Sequence, residues 1–147
     1  MKLPNILNNL FQPTENSPNE DYDNKIATSV LFLELAYADF RVTDEEEKNI
    51  YKNLEKFFNL AKPEVDELIR VAKEKRNDRQ DIWIFTNQIK QHFSRDRKIK
   101  IIELLWQLVF SDGQMDKYEE ALMRKISNLL GLTHGEMIQA KNKVKPT

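Results

Sequence analysis

Leu104-Leu105-Trp106-Gln107-Leu108-Val109-Phe110-Ser111-Asp112-Gly113-Gln114-Met115-Asp116-Lys117-Tyr118-Glu119 runs from a nearly all-apolar segment straight into an acidic loop. The same passage occurs once before, at Leu31-Phe32-Leu33-Glu34-Leu35-Ala36-Tyr37-Ala38-Asp39-Phe40-Arg41-Val42-Thr43-Asp44-Glu45-Glu46. In both, an Asp (Asp39, Asp112) is followed by an apolar residue at three, an oxygen-bearing side chain at four and a Glu at seven (Glu46, Glu119). An amphipathic stretch follows each. A repeat of this kind marks a duplicated supersecondary unit. Here the unit is helix–acidic loop–helix, and the fold class is all-α: a single compact bundle of seven to eight helices.

Working outward, residues 23–38 and 96–111 are apolar almost all round, as a helix buried on most sides must be. They are the two central helices; their length argues against strands. After the first loop, Ile50, Leu54, Phe57 and Phe58 recur with helical period. After the second, Leu122, Met123, Ile126, Leu129 and Leu130 do so. Leu60 and Leu132 close the two units, and Gly131 supplies a C-terminal cap because only Gly enters the left-handed region cheaply. The repeat offset therefore slips from 73 residues at the loops to 72 at the closing leucines. Pro63 suits the first turn of a helix over 63–75. Residues 80–93 and 134–144 form two more, and Trp83 and Trp106 fall among their apolar neighbours as core. Leu3, Ile6, Leu7, Leu10 and Phe11 predict a short amphipathic helix over 3–11. Residues 12–22, polar and holding Pro13 and Pro18, read as a linker. The domain division is thus 1–22 for helix and linker and 23–147 for the helical domain.

The composition narrows the chemistry. The chain has 147 residues, about one domain. Charged residues make up 32%, above the roughly 25% of an average soluble chain. The net charge of −1 hides a division: residues 15–67 hold 6 Lys+Arg against 14 Asp+Glu, and residues 70–147 hold 16 against 10. Such a dipole steers ions and charged partners. There is no cysteine, so disulfides, thiolate metal sites and cysteine nucleophiles are excluded. The only histidines are His92 and His134, and neither has a Glu three residues before it, so the di-iron element of helical bundles is missing. With Gly at 113, 131 and 135 alone there is no phosphate loop or dinucleotide fingerprint, hence no organic cofactor. No catalytic constellation is recognised. The N-terminus lacks the pattern of a signal peptide, no apolar run is long enough to span a membrane, and a cytoplasmic address is expected. Arg70, Lys73, Lys75, Arg76 and Arg79, and Arg95, Arg97, Lys98 and Lys100, are basic clusters. Glu74, Asp78 and Asp96 interrupt them, which argues against nucleic acid.

The acidic loops have two readings. Thr43-Asp-Glu-Glu46 and Asp116-Lys-Tyr-Glu119 are capping boxes, in which the first side chain and the Glu three later satisfy each other's backbone N–H. Thr133-His-Gly-Glu136 is a third. Capping accounts for Glu46 and Glu119 without a ligand. It does not account for Asp39 and Asp112, which sit where a buried helix ends and its partial negative charge disfavours a carboxylate. A divalent cation of the Ca²⁺, Mg²⁺ or Mn²⁺ type would supply the positive charge, since these take oxygen ligands. The spacing is not that of an EF-hand. Gly113 gives the second loop a backbone freedom that Phe40 denies the first, so the second is expected to bind more tightly. Glu34 and Glu103 lie inside the central helices, where an unpaired carboxylate is costly. They are candidates for the same cations; the alternative is an ion pair with an Arg or Lys at the core edge.

The run Leu33-Glu34-Leu-Ala-Tyr-Ala-Asp39 with Glu46, the run Leu104–Glu119 and the closing Leu-Leu-Gly131-Leu resemble the TerB-like tellurite-resistance family over residues 23–140. Phe85-Thr86 fits its stand-alone bacterial members. The resemblance implies an all-helical fold of two inverted-looking repeats and metal-binding positions at Asp39, Glu46, Asp112 and Glu119, with Glu34 and Glu103 at acidic positions of the family's helices. It also implies a role in tellurite and other chemical stress, protein partners that include membrane-associated ones, and no established catalysis. The family usually has Gly where this chain has Phe40. The reading is a non-catalytic, cation-binding protein-interaction module. Its competitors are a structural interaction domain whose acidic loops are only caps, and a metal-dependent hydrolase using the same carboxylates.

Overall fold

Seven α-helices fill most of what the computed structural model describes, which is residues 18–38, 42–77, 81–111 and 117–145. They are α1 (Pro18–Ala36), α2 (Asp44–Phe58), α3 (Lys62–Asn77), α4 (Ile82–His92), α5 (Arg95–Phe110), α6 (Lys117–Leu129) and α7 (His134–Val144). No strand occurs among the described residues, and the fold is all-α. The helix expected over 3–11 lies outside them. The linker expected over 12–22 needs correcting, because its last five residues already belong to α1. Pro18 is the reason: its fixed φ and missing N–H suit the first position of a helix. Glu20 and Asp21 then meet the positive end of the helix dipole.

α1 and α5 are the buried pair. Val30, Leu31, Phe32 and Leu35 on α1, and Ile101, Ile102, Leu105 and Trp106 on α5, are each at most 1% exposed. Side chains of this size contribute about 1.5–3 kcal/mol apiece when buried. The polar residues caught in the same environment are bonded locally. Thr28 Oγ1 donates to the carbonyl of Asn24 at 2.9 Å, and Ser29 Oγ to that of Lys25 at 2.7 Å. Asn24 Oδ1 accepts from Gln88 Nε2 at 2.9 Å, tying α1 to α4. The Trp106 indole N–H donates to the carbonyl of Met137 at 3.1 Å, tying α5 to α7.

The remaining helices wrap this pair in two matching sets. α3 lies on α1, and α7 lies on α5. α2 reaches across to α5, and α6 reaches across to α1. Each unit's second helix thus touches the other unit's central helix, so neither unit has a complete core alone. α4 bridges them, packing on α1 and on α6. The closing turns match too. Leu60 N–H donates to Glu55 O at 2.9 Å, and Leu132 N–H to Ser127 O at 3.0 Å, the long bond of a Schellman turn. The residue before each leucine is left-handed: Asn59 at φ 54° and Gly131 at φ 84°. The two residue types that enter that region most cheaply stand at equivalent places.

One aromatic departs from expectation. Trp106 is core, but Trp83 is 53% exposed. The inward stripe of α4 is Phe85, Thr86 and Ile89, with Ile82 and Phe93 partly buried beside it. Trp83 lies about 100° round the helix from Ile82, outside that stripe.

The left-handed cap at Gly131 makes a direct prediction. A Cβ there would meet Lys90 Cε at 3.4 Å, which is tolerable; the backbone is what resists. Gly131→Ala should cost about 1–2 kcal/mol in a denaturant titration, the strain of an L-residue in the left-handed region. Unchanged stability would mean that the turn re-forms without its positive φ.

Candidate metal centre

Both loops leave the C-terminal ends of the central helices. α1 gives out through Tyr37, whose N–H still reaches Leu33 O at 2.9 Å, and Ala38, which tightens to Leu35 O at 3.2 Å. α5 ends at Ser111, whose N–H and hydroxyl both donate to Leu108 O, at 3.2 and 2.7 Å. Asp39, Phe40, Asp112, Gly113 and Asp116 lie outside the described residues, so the acidic positions at these helix ends, the contrast between the loops and the Asp116 cap are not placed.

The glutamates that close the two motifs are placed. Glu46 is the third residue of α2 and Glu119 the third of α6, and each is 5% exposed. Around Glu46 the expected capping box is formed. Thr43 Oγ1 accepts from Glu46 N–H at 3.1 Å, and Glu46 Oε1 accepts from Thr43 N–H at 3.3 Å. Asp44, Glu45, Glu46 and Glu47 crowd the first turn of α2, where the helix dipole favours negative charge. The Thr133–Glu136 box is formed as well, with Glu136 Oε1 accepting from Thr133 N–H at 2.8 Å. That bond first, and the Arg95 guanidinium second, hold the Glu136 carboxyl below its ordinary range.

Glu34 and Glu103 each meet a basic side chain. Glu34 Oε1 lies 2.8 Å from Arg76 Nε of α3, an ion pair whose N–H is not aligned as a hydrogen bond. The same guanidinium sits over the Tyr37 ring at 4.6 Å. Glu103 is buried against α7, with Lys143 Nζ at 3.3 Å and Lys100 Nζ at 3.7 Å. These contacts are those of the ion-pair alternative. Among the described residues no three His, Asp or Glu side chains converge as a cation site would require, but those residues exclude Asp39 and Asp112.

Several basic side chains face the protein itself. Arg70 is clasped by Glu67 and Glu74 at 2.6 and 2.7 Å, Arg95 pairs with Glu136, and Arg97 stacks over Phe57 at 4.2 Å. A feature the sequence reading passed over is an open cleft of about 490 Å³ between α2 and α3, lined by Asp44, Glu47, Lys48, Tyr51, Lys52 and Asp66. Its signal was present as a polar stripe at helical spacing on α2. Burial pushes the Tyr51 phenol above its usual range, and Lys73 partly offsets this. No helix among the described residues is long and apolar enough to cross a membrane.

The family model described as tellurite resistance protein TerB matches residues 25–142. A solved protein of unknown function from Porphyromonas gingivalis W83 has the same fold, with a TM-score of 0.63 at 22% identity over 84% of this chain and 94% of its own. No curated protein matches the chain.

The ion-pair geometry of the two helix glutamates is testable apart from the loops. Glu103→Gln should cost on the order of 1 kcal/mol or less, because Lys143 and Lys100 are largely exposed and can be solvated instead, whereas Glu34→Gln should cost more, about 1–3 kcal/mol, because it takes the charge from beside the buried Nε of Arg76. Neither should alter any response of the melting temperature to Ca²⁺ or Mn²⁺. A cation response lost in Glu34→Gln would move that residue into the ligand set.

Proposed function

The chain belongs to the TerB family of tellurite resistance proteins, and from that premise we propose a non-catalytic module that binds divalent cations in its two acidic loops. In the loaded form it engages protein partners in the response to tellurite or related chemical stress. Asp39 and Glu46 hold one cation, and Asp112 and Glu119 the other. The observation that carries this reading is the matched burial of Glu46 and Glu119, 73 residues apart, each on the first turn of the helix that follows an acidic loop.

The donor set fits a hard cation. Carboxylates and loop carbonyls are oxygen ligands suited to Ca²⁺, Mg²⁺ or Mn²⁺. Thiolate and imidazole donors are absent or elsewhere: the chain has no cysteine, His92 lies on α4 with its ring against Gln88 O and Glu20, and His134 opens α7. When bound, the ion supplies positive charge beside the negative ends of α1 and α5. Capping and coordination are compatible for one carboxylate, which has about four lone-pair sites on two oxygens. Each loop joins a central helix to the helix that crosses to the other unit, so a bound ion would brace the joint between units.

The second reading is that the loops act only as caps, and the formed Thr43–Glu46 box favours it. Thermal unfolding separates the two. With Ca²⁺ or Mn²⁺ at a hundred times the dissociation constant, mass action should stabilise the chain by about 2.7 kcal/mol per site. Asp112→Asn should remove the response of the tighter, Gly113-containing loop and leave apo stability equal or higher, since a carboxylate at a helix C-terminus is gone. Melting curves that ignore millimolar Ca²⁺, Mg²⁺ and Mn²⁺ alike would leave the capping reading standing.

A further inference from the structure

Two of the four large apolar side chains most exposed among the described residues stand side by side at the start of α4; a third, Tyr22, is near the start of α1, which runs antiparallel to α4 with Glu20 near His92 and Asn24 against Gln88. Trp83 is 53% exposed, Ile84 47% and Tyr22 40%; the fourth, Tyr118, is on α6. Ile84 forms one wall of a groove of about 180 Å³, whose other walls are Asp23 and Ile26 of α1, Lys75 of α3 and Gln88 of α4. Trp83 precedes Ile84 on the same helix, and Tyr22 precedes Asp23 on α1. Isolated exposed apolar residues are ordinary, but Trp83 and Ile84 side by side at the rim of a groove that Ile26, Ala27 and Phe85 also line mark a surface that something covers.

We propose that the chain's own N-terminal segment, Leu3–Phe11, docks on this face and covers Trp83 and Ile84. The segment has the pattern the face needs. Leu3, Ile6, Leu7, Leu10 and Phe11 fall at helical spacing, Asn5, Asn8 and Asn9 fall between them, and no charge occurs from Leu3 to Phe11. Apolar anchors at that spacing are how a short helix lies in a groove. Pro4 suits the first turn of such a helix.

The tether fits as well. Six residues, 12–17, separate Phe11 from Pro18, where α1 begins. Fully extended they reach about 20 Å. Asp23 and Ile26 stand five and eight residues into α1 from Pro18, about 7.5 and 12 Å along its axis. The segment therefore starts within reach of the groove. A tether of six residues gives an effective concentration on the order of millimolar, so this occupant outcompetes a second copy of the chain at ordinary protein concentrations. The inference stands apart from the cation reading, since it uses none of the proposed ligand residues.

The two tryptophans make a clean assay in the full chain. Trp106 is 1% exposed and stays shielded while the protein is folded, so a change in tryptophan accessibility reports Trp83. Acrylamide quenching should be weak in the unaltered chain and rise several-fold in a variant carrying Leu7→Glu and Leu10→Glu, with a red shift in emission. Adding Trp83→Phe to that variant should remove the rise, leaving the shielded Trp106 signal as proof of folding. Equal, strong quenching of Trp83 with and without the segment substitutions would overturn the proposal. So would protection that appears only as protein concentration is raised, which would assign the face to a second copy.

Discussion

From Asn24 on α1 and from Ile101 on α5 both helices are buried on nearly every side, and the rest of the molecule is the means of wrapping them. Each takes one helix along its side, α3 or α7, and one from the other unit, α6 or α2. That crossing makes the two halves depend on each other. It also fixes where the chain must turn: both buried helices end where an acidic loop begins. The ends of α1 and α5 and the starts of α2 and α6 are therefore held at equivalent places by the core. Polar groups trapped along the way are bonded within a turn, as at Thr28 and Ser29, or across helices, as at Asn24 and Trp106.

Much of this was legible in the sequence because it rests on local pattern. The central helices announce themselves by stretches that are apolar almost all round, residues 26–36 and 101–110. The Thr43 and Thr133 caps are short-range chemistry, a hydroxyl and a glutamate three apart, and both boxes are formed. Gly131 was readable for the same reason; its counterpart Asn59 was not singled out, since Asn enters the left-handed region less often than Gly. Pro18 was misread because proline both ends segments and starts helices, and sequence alone does not choose. Trp83 was misread against a signal that was present: Ile82, Phe85 and Ile89 keep a helical stripe that Trp83 does not share.

The candidate site was legible to a different degree. That Glu46 and Glu119 are buried at matching places follows from the repeat. Apart from Lys100, three residues before Glu103, the partners of Glu34 and Glu103 do not, because Arg76 and Lys143 lie about forty residues away in sequence and meet them only through the packing of α3 on α1 and α7 on α5. A carboxylate in an apolar helix signals that a positive charge is near. It does not say whether that charge is a cation in a loop or an arginine on the next helix. For these two the contacts are with side chains.

The central claim is that cations sit in the acidic loops, between the ends of α1 and α5 and the first turns of α2 and α6. Amide spectra of the isotopically labelled chain, titrated with substoichiometric Mn²⁺, test it most directly, because a paramagnetic ion broadens only its neighbours. The account predicts selective loss of the resonances around Glu119 and then around Glu46, with α3, α4 and α7 left sharp. Broadening that is absent, or spread evenly over the acidic surface, would contradict it.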